Sequence, residues 1–297
     1  MNTLLTLIKR EYWENRSSFF KAPVVFGGLI LIIAICYLIL ICTHTAHFSL
    51  EKHIDITGNI PPTLTAYIFS AMSLPFMIVL WLVAFYYFLN CLYEDRKDRS
   101  ILFWQSMPIA EWETITSKTL AGIIVAPLCT WICIVVTEFI FLIIVTIAAS
   151  IVGLNSISGL WAPALLISTW LHILAALFLQ ALWLFPLFGW CMFCSAYAKK
   201  SPFLTALLPY VLILIIEGVF FHNLHLASYV ASRFDLAGST WSSLLTPIHN
   251  SPFISAHTML SNHSYGFVSL YWSLAIGLGF MAIAGYLRYS CYRSDEG

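Results

Sequence analysis

Six apolar runs, each at least about as long as a lipid bilayer is thick, dominate this 297-residue chain. The hydrocarbon core of a bilayer is about 30 Å across, which a helix crosses in roughly 20 residues, and backbone amides in lipid must be satisfied within the helix itself. That ruler marks residues 24–42, 64–91, 119–150, 163–196, 203–221 and 267–289 as transmembrane helices. A soluble alternative fails on charge: only 9% of residues are charged and 60% are hydrophobic, against roughly 25% charged in an ordinary soluble domain. The expected fold is an all-α polytopic membrane protein, a single transmembrane domain over residues 1–297.

Lys and Arg set the expected orientation. With the N-terminus in the cytoplasm, Lys9, Arg10, Arg16, Lys21, Arg96, Lys97, Arg99, Lys118, Lys199, Lys200, Arg288 and Arg293 fall on the cytoplasmic side, and only Lys52 and Arg233 fall outside. This is the positive-inside pattern, and six spans then return the C-terminus to the cytoplasm. No Ala-x-Ala-like site follows the first run, so that run is expected to stay as a span. Runs two to four exceed the ruler and are expected to continue past the lipid as helix. Pro75, Pro127, Pro186 and Pro209 lie inside the runs, where each removes a backbone hydrogen bond and can kink its helix. Residues 1–22 place Leu4, Leu5, Ile8 and Tyr12 on one helical face, the pattern of an interfacial helix lying in the inner headgroup layer.

The net charge is zero and the pI near 7, which removes any basic face for nucleic acid. The eight cysteines fall in or beside apolar runs and read as small packing residues rather than a disulfide framework. Cys191 and Cys194 form a lone CxxC without the second pair that a zinc site needs.

The densest charge in the chain is Glu94-Asp95-Arg96-Lys97-Asp98-Arg99, followed by Ile101-Leu102-Phe103-Trp104 and by Met107-Pro108. A solvated loop has no need of Phe103, Trp104 and Trp112, whereas a docking surface does. The other reading of the same residues is a loop parallel to the membrane with its aromatics among the headgroups. Residues 92–108, after the second of six spans, together with Lys9-Arg10-Glu11-Tyr12-Trp13 near the N-terminus, resemble the membrane subunit of bacterial type-2 (ABC-2 type) ABC exporters. The topological likeness covers essentially the whole chain, and the motif about 25 residues of it. The resemblance implies that the cytoplasmic loop 92–118 carries a coupling helix seated on an ATPase subunit. Glu94, Asp95, Arg96, Lys97, Asp98, Arg99, Phe103, Trp104, Met107 and Pro108 would be the docking residues. It also implies a pair of membrane subunits, identical or related, around a central path, in the inner (plasma) membrane of a bacterium.

The chain contains no GxxxxGK[ST] phosphate loop, so ATP and its magnesium are expected on a separate ATPase subunit, with no catalytic residue and no cofactor here. Glu138, His172 and Glu217 are intramembrane polar residues, and such residues are functional hypotheses by default. Glu138 and His172 are expected at a shared depth, where a hydrogen bond between them would serve either a substrate path or a structural bridge between two helices. Glu217 could also reach the outer headgroups. Eight of the nine histidines (His44, His47, His53, His222, His225, His249, His257 and His263) fall outside on this topology. They carry metal-ligand chemistry but lack an HExxH pattern. Residues 222–266, with Tyr229, Phe234, Trp241, Phe253 and Tyr265, are expected to form an extracytoplasmic gate region. The alternatives to export are a membrane-embedded enzyme or metal-binding protein using the histidine-rich face, and a scaffold that docks a cytoplasmic protein without transporting anything.

Overall fold

The computed structural model describes residues 3–43, 62–98, 110–152, 161, 163–221, 224–244 and 266–295, and its regular elements there are all helices. Arg99, Phe103, Trp104, Met107 and Pro108 lie outside the described residues, as do seven of the nine histidines. The elements are α1 (Thr3–Glu14), α2 (Ala22–Thr43), α3 (Pro62–Asn90), α4 (Tyr93–Lys97), α5 (Glu111–Leu120), α6 (Ala126–Val152), α7 (Pro163–Trp183), α8 (Phe185–Tyr197), α9 (Pro202–Ile216), α10 (His225–Leu244) and α11 (Gly266–Asp295). Single π-helical turns at Ser17–Lys21, Ala121–Val125 and Glu217–Phe221 join α1 to α2, α5 to α6, and extend α9. Six helices are long and apolar enough to cross a membrane: Ser17–Ile39, Thr65–Lys97, Glu111–Ala148, Leu165–Trp183, Pro202–Phe220 and Val268–Arg288.

The core follows from residue spacing. On α3 the buried positions are Thr65, Ala66, Phe69, Ser70, Ser73, Phe76, Met77, Leu80, Ala84, Tyr87 and Phe88, the three-and-four spacing that lines one face of a helix. Thr130, Cys133, Ile134, Thr137 and Glu138 on α6, and Thr169, His172, Ile173, Ala176, Leu177 and Gln180 on α7, repeat it. The three stripes meet, with Phe76, Ile134 and Ile173 in one apolar cluster and Phe69, Leu142 and Leu166 in another. Glycine sets the closest helix contact. A methyl added at Gly189 of α8 would lie 2.8 Å from the Gly277 carbonyl oxygen of α11, and one at Gly277 would enter the Phe185 ring.

The N-terminal helix is held by protein on one side. Leu7 and Glu11, one turn apart, are its buried residues, whereas Leu5 is 62% exposed and Trp13 56%. The face taken up by packing is therefore centred on Leu7 and Glu11 rather than on Leu5, because Glu11 meets a partner inside the bundle.

Two further placements matter below. None of the 18-residue core of Pro202–Phe220 is buried, so this span packs loosely on the bundle, with half-buried positions and a hydrogen bond from Trp190 to the Ala206 carbonyl holding one side of it. The middle of α10, in contrast, packs against the other helices, with Arg233 buried and Phe234 37% exposed. Phe234 packs its ring 5.5 Å from Trp81 and 6.5 Å from Phe85 of α3, and Phe85 in turn meets Phe188 of α8 at 5.2 Å. Trp81 lies roughly 28 Å along α3 from its start at Pro62, so α10 reaches the middle of the bundle.

Candidate functional site: a buried charge junction

At the end of the bundle that holds α1, α4 and the Arg288 end of α11, five acidic and basic side chains from four separate segments are gathered, four of them out of solvent and Glu111 at the rim. Lys118, in the last turn of α5, places Nζ 2.9 Å from Glu11 Oε1 of α1 and 3.3 Å from Asp95 Oδ1 of α4. Asp95 Oδ2 lies 3.4 Å from Arg288 Nη1 of α11, and Arg288 Nε lies 3.0 Å from Glu111 Oε2 at the start of α5. The side chains of Lys118 and Glu11 are each 2% exposed, Arg288 4% and Asp95 9%. The Tyr87 hydroxyl, also buried, stands 3.1 Å from Glu11 Oε2 and 3.0 Å from the Lys118 carbonyl, sharing its one proton between them.

Local sequence explains why these groups converge. Glu11 follows Leu7 by one turn, so the carboxylate shares the buried face of α1. Lys118 ends the polar α5 just before the apolar run that becomes α6, where its long stem can lie in the core with its ammonium among carboxylates. Asp95 and Arg96 sit in the single turn of α4, and the charged run divides by helical phase. Glu94, Lys97 and Asp98 are exposed, while Asp95 turns inward and Arg96 is half-buried.

Arg96 serves a second attachment. Its Nη2 donates to the carbonyls of Ser195 at 2.6 Å and Ala198 at 2.9 Å, at the end of α8. The Ser195 hydroxyl accepts the backbone N–H groups of Leu92 and Tyr93, at 3.1 and 3.0 Å, and so caps the start of α4. The Tyr93 hydroxyl donates to the Lys200 carbonyl at 2.7 Å. The segment after the second span is thereby fastened to α1, α5, α8 and α11 together. A buried ionic network of this kind contributes little net stability, since desolvation offsets attraction, but loss of one member leaves an uncompensated charge. It therefore fixes one arrangement of the elements it joins.

A cavity of about 600 Å³ opens beside the junction, with Glu11, Glu14, Glu94, Asp95, Asp98 and Lys118 among its walls. A mostly apolar groove of about 690 Å³ runs between α5, α8 and α11, past Trp112, Ile115, Phe185, Leu278, Met281 and Tyr286.

The intramembrane residues are placed separately from the junction. Glu138 is 1% exposed; its Oε2 accepts the Trp170 indole N–H at 2.8 Å, and its Oε1 has no partner. His172 is buried at the same level, but its Nδ1 lies 2.6 Å from the Ser168 carbonyl one turn back on its own helix. The expected Glu138–His172 bond is not formed: the longer indole crosses to α6, and the backbone captures the imidazole. Glu217 Oε2 accepts the Leu226 backbone N–H at 2.9 Å, which caps the first turn of α10. Cys191 and Cys194 are buried free thiols. Among the described residues no group of three or more His, Cys, Asp or Glu is disposed to hold a metal ion.

Of the junction, sequence reasoning singled out Asp95 and Arg96 by their charge density. It used Lys118 and Arg288 only to orient the chain, quoted Glu11 only within the N-terminal stretch, and passed over Tyr87. The available signal was a carboxylate on the buried face of α1 and a lysine at the head of an apolar run.

No family model matches the sequence, and no curated protein or solved structure matches it significantly. What the fold and its burial pattern define is a multi-pass α-helical membrane protein, with six span-like helices and a buried ionic junction at one end of the bundle.

Proposed function

We propose that this chain is the membrane subunit of an ATP-driven exporter of the ABC-2 type, with the junction as the place where movement of a separate ATPase subunit enters the membrane helices. The observation that carries this reading is the position of Asp95 and Arg96. They follow the second span directly, in the segment that resembles the coupling region, and their partners are Lys118 at the head of the third span, Arg288 of the sixth, and the Ser195 and Ala198 carbonyls at the end of α8, with the N-terminal helix joined through Lys118. A push on residues 92–118 cannot move that segment alone; it must shift those helices too or break buried ion pairs. Elements with two discrete arrangements convert a docking event into a change of helix packing in this way.

On this reading the junction end faces the cytoplasm, as the clustering of Lys and Arg there requires, and the membrane is the bacterial inner membrane. The exposed Glu94, Lys97 and Asp98, with Arg99, Phe103, Trp104, Met107 and Pro108 beyond the described residues, form the ATPase-docking surface. ATP and magnesium stay with the partner, and this subunit performs no covalent chemistry. The loosely held span Pro202–Phe220 is where a second membrane subunit packs, and Glu138 belongs to the polar interior.

The test is co-purification of the ATPase with the parent chain and with Arg96→Ala. Arg96→Ala loosens α4 from α8 while the Ser195 bonds to the Leu92 and Tyr93 N–H groups remain, so the variant is expected to remain folded and to recover markedly less ATPase. Equal recovery from the two chains would remove α4 from the coupling path.

A further inference from the structure

Arg233 lies on α10 with its guanidinium inside the bundle, 5% exposed. Its Nη1 is shared among the Ser273 hydroxyl at 2.5 Å, the Ser269 hydroxyl at 2.8 Å and the Ser269 carbonyl at 3.2 Å, all on α11. The guanidinium carbon stands 4.5 Å from the centre of the Tyr229 ring, one turn earlier on α10. Every one of these partners is neutral. Among the described residues no carboxylate lies within ion-pair distance of it, and its Nε is buried without a hydrogen bond.

This arrangement differs from the other buried cations of the molecule. Lys118 and Arg288 each contact two carboxylates. A guanidinium in a protein does not shed its proton, so it cannot escape the cost of burial by becoming neutral. A buried charge without a counter-charge is among the costliest features a fold can hold.

Two more unsatisfied polar groups lie in the same layer. The Tyr229 hydroxyl is buried without a partner, and both polar atoms of the Gln180 amide on α7 are buried and unbonded. Three contacts set the layer. Phe234, next to Arg233, packs on Trp81; Trp81 and Gln180 line one small void; and Leu270, next to Ser269, packs on Leu179 and Trp183 of α7. Along α3 this layer is roughly 28 Å from Pro62 and roughly 24 Å from Lys97, near the middle of the span. A cation without a counter-charge, and a phenol and an amide without hydrogen bonds, lie level with the middle of the second span and share one chemical requirement.

We propose that Arg233, with Tyr229 and Gln180, forms an intramembrane binding site for an anionic group, a phosphate or carboxylate carried by an amphipathic molecule. The guanidinium supplies charge and parallel N–H donors, the geometry that suits two oxygens of one carboxylate or phosphate. Tyr229 and Gln180 add neutral donors, and the surrounding apolar helices take the hydrocarbon part. The molecule is either a phospholipid retained by its headgroup or a smaller amphiphile that enters and leaves. Neither case depends on the ATPase reading, because binding requires this chain alone.

The experiment uses the full chain in nanodiscs of phosphatidylcholine and measures binding of dodecyl phosphate and dodecanoate against dodecyltrimethylammonium and dodecyl maltoside, with lipid phosphorus assayed on the purified protein. The anionic probes are expected to bind at least about tenfold more tightly than the neutral and cationic ones. Arg233→Gln should abolish that preference. Should Arg233→Gln fail to assemble, Arg233→Lys and Tyr229→Phe, which keep the charge, are each expected to weaken anionic binding several-fold. Stoichiometric phospholipid on the parent, lost from Arg233→Lys, identifies the occupant as a lipid headgroup; saturable dodecyl phosphate binding without retained lipid identifies it as an exchangeable amphiphile. Equal affinity for all four probes, or parent-like anionic binding by both charge-keeping variants, would overturn the proposal.

Discussion

Lys118 Nζ and Glu11 Oε1 meet at 2.9 Å across 107 residues of sequence, each side chain 2% exposed. The bond closes the N-terminal helix onto the start of the third span, and Asp95 on the far side of the same ammonium extends the closure to α4 and, through Arg288, to α11. A pair this deep is valued for the arrangement it selects more than for net stability.

Removing one partner should therefore hurt more than removing both. Lys118→Met is expected to cost about 3–5 kcal/mol, because Glu11 is left charged and buried. The double variant Glu11→Met, Lys118→Met should recover much of that loss, since Asp95 keeps Arg288. Thermal unfolding of the parent, Glu11→Met, Lys118→Met and the double variant in one detergent measures the difference. Additive losses in the double variant would mean that the two residues do not act as a pair.

Glu138 separates structure from transport. Gln at this position keeps a carbonyl oxygen to accept the Trp170 indole, so Glu138→Gln should assemble normally, whereas Glu138→Leu orphans a buried N–H and should lose about 1–3 kcal/mol. If Glu138→Gln assembles yet no longer supports export, the carboxylate has a functional role. If Glu138→Gln assembles and exports like the parent while Glu138→Leu loses assembly, the residue's role is to hold α6 to α7.

The membrane class was legible in the sequence because it depends on the length and polarity of runs, which survive without knowledge of contacts. All six apolar runs contain helices long enough to span. The charge run at Glu94–Arg99 was visible for the same reason, but its division into inward Asp95 and outward Glu94, Lys97 and Asp98 depends on helical phase. The junction itself was not legible. Glu11, Lys118 and Arg288 are far apart in the chain and individually ordinary, and only packing brings them together. The Glu138–His172 pairing failed on a similar point: equal depth does not fix direction, and Trp170, two residues from His172, is the side chain that faces α6. Arg233, counted with the outer loop when the chain was oriented, is buried because α10 packs it against Ser269 and Ser273 of α11.

The glycine contact between α8 and α11 should tolerate no side chain. Gly189→Val is expected to destabilise by about 1–3 kcal/mol through overpacking, because the atom it meets first is the Gly277 backbone oxygen, which cannot rotate away. Gly279 has nothing within 4 Å of the space its side chain would occupy, and Gly279→Ala should be near neutral. Melting temperatures of the two variants side by side check both statements.

Glu217 should act locally. Glu217→Ala removes the acceptor for the Leu226 N–H, and the loss is expected to resemble that of a helix cap, about 1 kcal/mol. Hydrogen exchange should accelerate in the first turn of α10 and stay unchanged in α3 and α6. Faster exchange throughout the bundle would show that Glu217 holds more than a helix end.

On the proposed function, a separate ATPase docks on the segment after the second span. The most direct measurement is affinity purification of the chain from its native membrane in mild detergent, with mass spectrometry of the co-purified proteins, for the parent and for Phe103→Ala, Trp104→Ala. A Walker-motif ATPase is expected with the parent and is expected to be lost from a double variant that remains folded. Absence of any ATPase under every mild condition, or undiminished recovery with the double variant, would contradict that docking.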